Sequence, residues 1–194
     1  MTTFELVRPE SKHLSSYIDA LNRDWSPDNV RGKVTADAQL LSIEADPAKF
    51  LASLDDPEAK GPPITLPNGT IVPRLPGFVR WMWDGEFCGS INLRWQHGTS
   101  ELPPHVLGHI GYSVVPWKQR KGYATQALNS VLHDARVLGL SFVELTTDPD
   151  NIPSQRVIES NHGILVERFM KDVAYGSACS LRWRIPLTTT APLE

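Results

Sequence analysis

From His109 to Leu128 the chain reads HIGYSVVPWKQRKGYATQAL: a strand, a Pro116 stop, a short turn carrying Lys118, Arg120 and Lys121, then Gly122 and the start of a helix. Residues of these types at this spacing suit anion binding. The first N–H groups of a helix lack internal acceptors and carry the positive end of the macrodipole, so a pyrophosphate can accept from several at once. Gly122 lets backbone and phosphate approach closely, where a side chain would intervene. Glycine and lysine also populate ordinary strand-to-helix turns, so the stretch alone leaves both readings open. On the strand itself, alternation puts His109, Gly111, Ser113 and Val115 on one face and Ile110, Tyr112 and Val114 on the other. A second polar stretch, Asp150 to Glu159 (DNIPSQRVIE), follows a buried strand and opens a short helix.

Together these two blocks carry a resemblance. Gln119-Arg120-Lys121-Gly122-Tyr123-Ala124 resembles the Q/R-x-x-G-x-G/A signature of the GCN5-related N-acetyltransferases (GNAT), and it follows a strand ending Val114-Val115-Pro116, as in that family. Asp150 to Glu159 is similar to the family's second conserved block, in which an Asn follows the fifth strand and a short helix leads to the next. The likeness runs from about Gly77 to Ile185. It is especially close to bacterial "predicted acetyltransferases" with GHIGYSV, GYAT and DNI-S-RVIE-N runs.

The resemblance implies an α/β (α+β) GNAT fold: a central mixed, mostly antiparallel twisted sheet of about seven strands, flanked by helices and splayed between the family's fourth and fifth strands. It implies acetyl-coenzyme A as co-substrate, with the pantetheine arm in the splay against the backbone of Val114 and Val115. The pyrophosphate would lie on the amides of Gln119, Arg120, Lys121, Gly122, Tyr123, Ala124 and Thr125, and Asn151 would reach the pantetheine or its thioester. A backbone N–H near Val114 would polarise the thioester carbonyl as an oxyanion hole does. Relatives carry a basic Glu early in the fourth strand, and His109 stands at about that place; with an ordinary imidazole pKa of about 6.5 it could take the proton of an attacking amine. Relatives also use a Tyr after the Asn to protonate the thiolate, but Ile158 stands there, which leaves Ser154, one turn earlier, as the substitute. The implied activity is transfer of acetyl from coenzyme A to a primary amine of a small molecule or peptide in a ternary complex. A catalytically silent acyl-CoA sensor is the alternative that Ile158 allows. The family also pairs through its last strands, so a homodimer is expected, with Leu181, Trp183 and Ile185 as an apolar alternating face.

The elements that must hold these residues follow from periodicity. Thr3 to Val7 alternates as a first strand; Leu14, Tyr17, Ile18 and Leu21 have helical spacing; a helical region from about Thr35 to Leu54 is broken in two at Asp46-Pro47. Gly61 to Gly77, with five prolines and three glycines, predicts a surface loop or a short hairpin at Asn68-Gly69. Strands follow at Phe78 to Trp83 and Phe87 to Trp95, joined by Asp84-Gly85 as a two-residue type I′ turn, then Leu107 to Val115. Residues 121–138 form the clearest helix, closed by Gly139. Phe142 to Thr147 is a strand, Pro153 to Ser160 a helix, and Ile164 to Met170 and Cys179 to Ile185 are the last strands. One domain is expected over 1–187, with an N-terminal portion 1–76, a core 77–187 and a loose tail 188–194. The N-terminal helices, the Pro-rich loop and the hairpin bearing Trp81, Trp83, Arg94 and Trp95 should wall the acceptor pocket. The tryptophans suit either a cationic amine or plain packing.

Composition narrows the partners. A formal charge of -3 favours neither nucleic acid nor an anionic membrane. No apolar run approaches the ~20 residues of a membrane helix, and Met1 to Arg8 lacks an apolar core of signal type. Cys88 and Cys179 are too few for a disulfide framework or a four-ligand zinc site and fit free thiols in a cytoplasmic protein. His97, His105, His109, His133 and His162 form no H-E-x-x-H pair, so no metal is expected, and neither a P-loop nor a G-x-S-x-G elbow is present.

Overall fold

The computed structural model describes residues 3–66, 68–172, 175 and 177–187; the tail expected at 188–194 lies outside them. The chain opens with strand β1 (Glu5–Val7), helix α1 (Leu14–Asn22), helix α2 (Lys33–Ala45) and helix α3 (Pro47–Ser53). α1 buries Leu14, Tyr17, Ala20 and Leu21, the stripe its spacing requires. The break between α2 and α3 falls where expected: Asp46 leaves helical geometry and its carboxylate accepts from the Lys49 amide at 2.9 Å, while Pro47 occupies the first turn. Short strands β2 (Asp55–Asp56), β3 (Ile64–Thr65) and β4 (Ile71–Val72) follow, β3 and β4 forming the small hairpin around Asn68-Gly69.

β5 (Gly77–Trp83), β6 (Phe87–Arg94) and β7 (Ile110–Val114) build an antiparallel sheet in the order β1-β5-β6-β7, with β2 pairing β5 as well. The β5–β6 turn differs from the expected two-residue type I′. Trp83 pairs with Phe87 after a register shift, so Asp84, Gly85 and Glu86 all lie in the turn, and only Gly85 has a positive φ (101°). α4 (Tyr123–Val137) then crosses one face. It ends in a Schellman motif: the Gly139 amide bonds to the Arg136 carbonyl and the Leu140 amide to that of Ala135, with Gly139 left-handed at φ 80°. β8 (Phe142–Thr147), α5 (Ile152–Glu159), β9 (Ile164–Met170) and β10 (Cys179–Pro186) complete the chain, and these last strands form a separate sheet ordered β8-β10-β9.

The two sheets meet at one point. The His109 amide donates to the Glu144 carbonyl at 2.8 Å, after which β7 and β8 form no ladder. Gly108 makes this approach possible, because a Cβ there would lie 2.9 Å from the Glu144 carbonyl oxygen. Beyond it the strands diverge: this is the splayed α/β architecture expected, with seven principal strands between α1–α3 on one face and α4 with α5 on the other. One apolar cluster joins α4 (Ala127, Leu128, Val131, Leu132, Ala135) to both sheets, and a second joins α1–α3 to Trp81, Phe87 and Val115.

Packing decides several residues that the sequence left to function. Trp81 and Trp95 are buried in these clusters, Trp81 stacked on Tyr17 at 4.3 Å, and Trp83 packs on His13 at 4.6 Å, so the tryptophans serve the core and not a cation. Leu181, Trp183 and Ile185 are likewise core residues, which corrects their reading as a dimer face. Among the described residues of the last three strands, the exposed large apolar side chains are instead Ile164, Leu165, Val166 and Met170 of β9. Cys88 and Cys179 are free thiols, Cys88 buried. Among the described residues no helix is long and apolar enough to cross a membrane, and no group of three or more His, Cys, Asp or Glu is placed to hold a metal ion.

Candidate active site

The mouth of the gap between β7 and β8 is framed by the loop 116–122 and the start of α4. Arg120 (φ 61°) and Gly122 (φ 79°) are both left-handed, which turns the backbone into a concave run of amides. Among the described residues, the first amide of this region to find a backbone acceptor within α4 is that of Gln126, bonded to the Gly122 carbonyl; none is recorded for residues 120–125. A side chain at Gly122 would have room, its Cβ coming no nearer than 3.7 Å to the Gln126 amide, so the requirement there is the backbone angle.

The three cations of the loop divide. Arg120 and Lys121 are exposed. Lys118 is tied down: its ammonium bonds both Asp84 oxygens at 3.0 and 3.1 Å and reaches Glu86 at 3.2 Å. Asp84, only 7% exposed, also accepts from the Tyr123 hydroxyl at 2.6 Å. Burial alone would raise its pKa, but the bonds from Tyr123 and Lys118 prevail and hold it at about 2. The same carboxylate raises the Tyr123 phenol to about 12. Asp84 thus fastens both ends of the loop to the β5–β6 turn. In the sequence it reads as a turn residue and, with Glu86, as an acid that could receive a cationic acceptor, since its partners lie 34 and 39 positions away.

Along β7, backbone direction sorts the groups. The Arg94 amide bonds to the His109 carbonyl and the Val115 amide to the Cys88 carbonyl, so in this antiparallel register the odd-numbered residues face β6. Tyr112 and Val114 therefore turn their N–H and C=O toward the gap. The Val114 carbonyl has the Gln119 side-chain amide 3.4 Å away. Val115 does not: its N–H is spent on Cys88, its carbonyl accepts from Lys118, and its side chain is fully buried. Tyr112 is the residue that alternation could have supplied and that motif matching passed over.

Across the gap, Asn151 caps α5, its Oδ1 accepting from the Ser154 amide at 3.2 Å, which leaves its Nδ2 free to donate. Ser154 shares a hydrogen bond of 2.7 Å with the Tyr112 hydroxyl. Burial pushes that phenol up to about 12, only partly countered by Ser154, so it is protonated at neutral pH. Ile158 is wholly buried in the core. Asn161, in the sequence only the last residue of the DNI-S-RVIE-N run, ties α5 to the Thr125 carbonyl of α4 at 3.3 Å.

His109 requires a correction as the expected base. It has no exposed surface, its Nδ1 accepts from the Glu144 amide at 2.9 Å, and its Nε2 lacks a partner of hydrogen-bond geometry, although the Ser100 carbonyl is near enough to favour a proton. Desolvation is the main cause of a pKa lowered to about 4. It sits where β7 and β8 touch, not where they part, and braces that junction.

Residues 71–163 match the model of the acetyltransferase (GNAT) domain. No curated protein sequence is significantly similar. Among solved structures, the fold is similar to the microcin C7 self-immunity acetyltransferase MccE in complex with acetyl-CoA and AMP (TM-score 0.62, 13% identity, covering 94% of this chain and 92% of that one). It is also similar to the ribosomal L7/L12 α-N-protein acetyltransferase RimL in complex with coenzyme A (0.61, 14%, 96% and 95%), and to Mycobacterium smegmatis RimJ with coenzyme A disulfide (0.58, 17%, 94% and 81%).

Proposed function

We propose that this chain, whose residues 71–163 match the model of the acetyltransferase (GNAT) domain, moves the acetyl group of acetyl-coenzyme A to a primary amine by direct attack in a ternary complex. The observation that carries the reading is the run of amides 120–125 without backbone acceptors among the described residues, at the mouth of a gap lined by unspent strand backbone. Anionic oxygens can accept from that run with help from Arg120 and Lys121. The pantetheine amides can pair with Tyr112, Val114 and the free Nδ2 of Asn151. Gln119, Tyr123, Ala124 and Thr125 complete the coenzyme site, and Val115 acts only by packing beneath it.

The amine must arrive neutral, having lost a proton to solvent, because a lysine-like ammonium has a pKa of about 10 and His109 is closed off. Its lone pair attacks the thioester carbon, and the developing oxyanion is met by a β7 backbone N–H facing the gap. As the C–S bond breaks, the Tyr112–Ser154 pair supplies a proton to the thiolate, the role that Ile158 cannot fill; the nitrogen, cationic once it has attacked, gives up its proton to solvent as the amide forms, and solvent reprotonates the pair. Structures similar in fold carry names that include ribosomal proteins among their targets, so the amine of a peptide N-terminus stands beside small-molecule amines. Pairing of two copies, where it occurs, falls to β9, whose Ile164, Leu165, Val166 and Met170 are exposed.

Calorimetric titration with acetyl-coenzyme A, beside the Gly122→Glu variant, tests the coenzyme site: micromolar binding that the variant loses supports it, and no binding by either protein overturns it. A second reading, an acyl-CoA sensor without turnover, is favoured by the burial of both His109 and Ile158. Coenzyme A thiol release against a panel of amines separates the two.

A further inference from the structure

The gap between β7 and β8 is open at one end and shut at the other. Its mouth is the loop 116–122, and its far end is the contact of His109 with Glu144. Two hydrogen bonds make that contact: the His109 amide donates to the Glu144 carbonyl at 2.8 Å, and the Glu144 amide donates to His109 Nδ1 at 2.9 Å. The imidazole therefore reaches across from β7 to the backbone of β8, with the Phe142 ring edge-to-face to it at 6.2 Å between centroids. Next to it, Gly108 lies so close to β8 that a Cβ would stand 2.9 Å from the Glu144 carbonyl oxygen and 3.2 Å from the Leu145 Cα. His109 has no exposed surface and Ile110 is buried beside it, so the far end is closed to solvent.

We infer that the His109–Glu144 clamp is a stop that limits the acyl group to acetyl, so that propionyl and longer acyl-coenzyme A thioesters are excluded. The inference rests on the acetyltransferase reading above, which sets the direction of the coenzyme. With its pyrophosphate on the amides at the mouth and its pantetheine amides against Val114 and then Tyr112, the thioester end points at the clamp. Length decides the rest. From Tyr112 to His109 is three residues, or roughly 10 Å of strand. Beyond the second pantetheine amide come two methylenes, the sulfur, the carbonyl carbon and the methyl, which extend roughly 6–7 Å at about 1.3 Å per bond. The remaining ~3.5 Å is the contact distance of two non-bonded carbons, so acetyl fills the space and a further methylene meets the imidazole or the Glu144 backbone. The clamp does not yield by a turn of the side chain, because swinging the imidazole aside leaves the buried Glu144 amide without its acceptor. His109, closed off as a base, thus acts on the reaction through shape.

Calorimetric titration with coenzyme A and with its acetyl, propionyl and butyryl thioesters tests this and needs no acceptor amine. Coenzyme A and acetyl-coenzyme A should bind the wild type alike, and each added methylene should weaken binding by about 10-fold or more, the discrimination of an apolar space already filled. His109→Asn keeps an oxygen that can accept from the Glu144 amide on a shorter side chain, and His109→Ala removes the ring and the bond together. In both variants the ratio of propionyl to acetyl affinity should rise by about 10-fold, toward equality. Each protein serves as its own reference, so a general loss of affinity does not enter the ratio. Propionyl- and butyryl-coenzyme A bound by the wild type as tightly as acetyl-coenzyme A overturn the inference, as does an unchanged ratio in a folded His109→Asn protein, and either result leaves the coenzyme site standing. Failure of the wild type to bind coenzyme A at all removes the acetyltransferase reading as well.

Discussion

Replacing Asp84 by Asn should loosen the loop 116–122 without touching its amides. The carboxylate is buried and bonded to Lys118 and Tyr123, and its pKa of about 2 stands against an ordinary 3.8. At 1.36 kcal/mol for each tenfold change in proton affinity, that difference is worth about 2.5 kcal/mol of folding free energy. The folded-state pKa is depressed, so the contribution is complete above pH 3.8 and is lost as pH falls through about 2. At pH 7, Asp84→Asn should therefore cost about 2–3 kcal/mol, or roughly 5–10 °C in Tm for a domain of this size. Denaturant unfolding of Asp84→Asn, Lys118→Met and the double variant gives the coupling directly, expected at about 1.5–3 kcal/mol because the bond is charged on both sides. Acetyl-coenzyme A should bind the single variants more weakly, since the amides of 120–125 are no longer held in one arrangement. A coupling below about 0.5 kcal/mol, with Tm unchanged, would refute the claim that this carboxylate organises the loop, for that is the value of an ordinary surface pair.

Two further outcomes test the junction of β7 and β8. His109 stays neutral in the fold down to about pH 4 while an unfolded imidazole takes its proton near 6.5, so stability should decline as pH falls between those values, by about 3 kcal/mol in all; a His109→Gln protein should show a visibly flatter profile by denaturant unfolding, and matching profiles would contradict the assignment. Gly108→Ala places a Cβ about where the Glu144 carbonyl stands, 2.9 Å away, and should destabilise the protein by about 1–3 kcal/mol through overpacking against backbone; thermal unfolding indistinguishable from wild type would show that the strands are free to move apart.

Much of the architecture was legible in the chain because it rests on local patterns. The α4 stripe and its Gly139 stop, the Asp46-Pro47 break and the alternating strands are each written within a few residues of one another. The same holds for the loop 116–122, whose concave amides rest on backbone geometry that Gly122 and the helix start prescribe. The Asp84 turn shows the limit: Asp84-Gly85 matched a two-residue hairpin, but the register shift at Met82/Trp83 and the pull of Lys118 and Tyr123 made it three residues long and gave its acid another task.

What the sequence alone determined is thus the order of elements and the loop suited to an anion, since helix and strand periodicity and cap chemistry act over short range; the splayed α/β architecture followed only from the resemblance. Only the tertiary structure decided which polar groups are available. His109 shares a strand face with Gly111 and Ser113, yet β8 closes over it; Lys118 belongs to a cationic turn, yet Asp84 takes its charge. Burial and pairing are set by residues brought together from distant parts of the chain, and desolvation then fixes which of them remains free to meet a substrate.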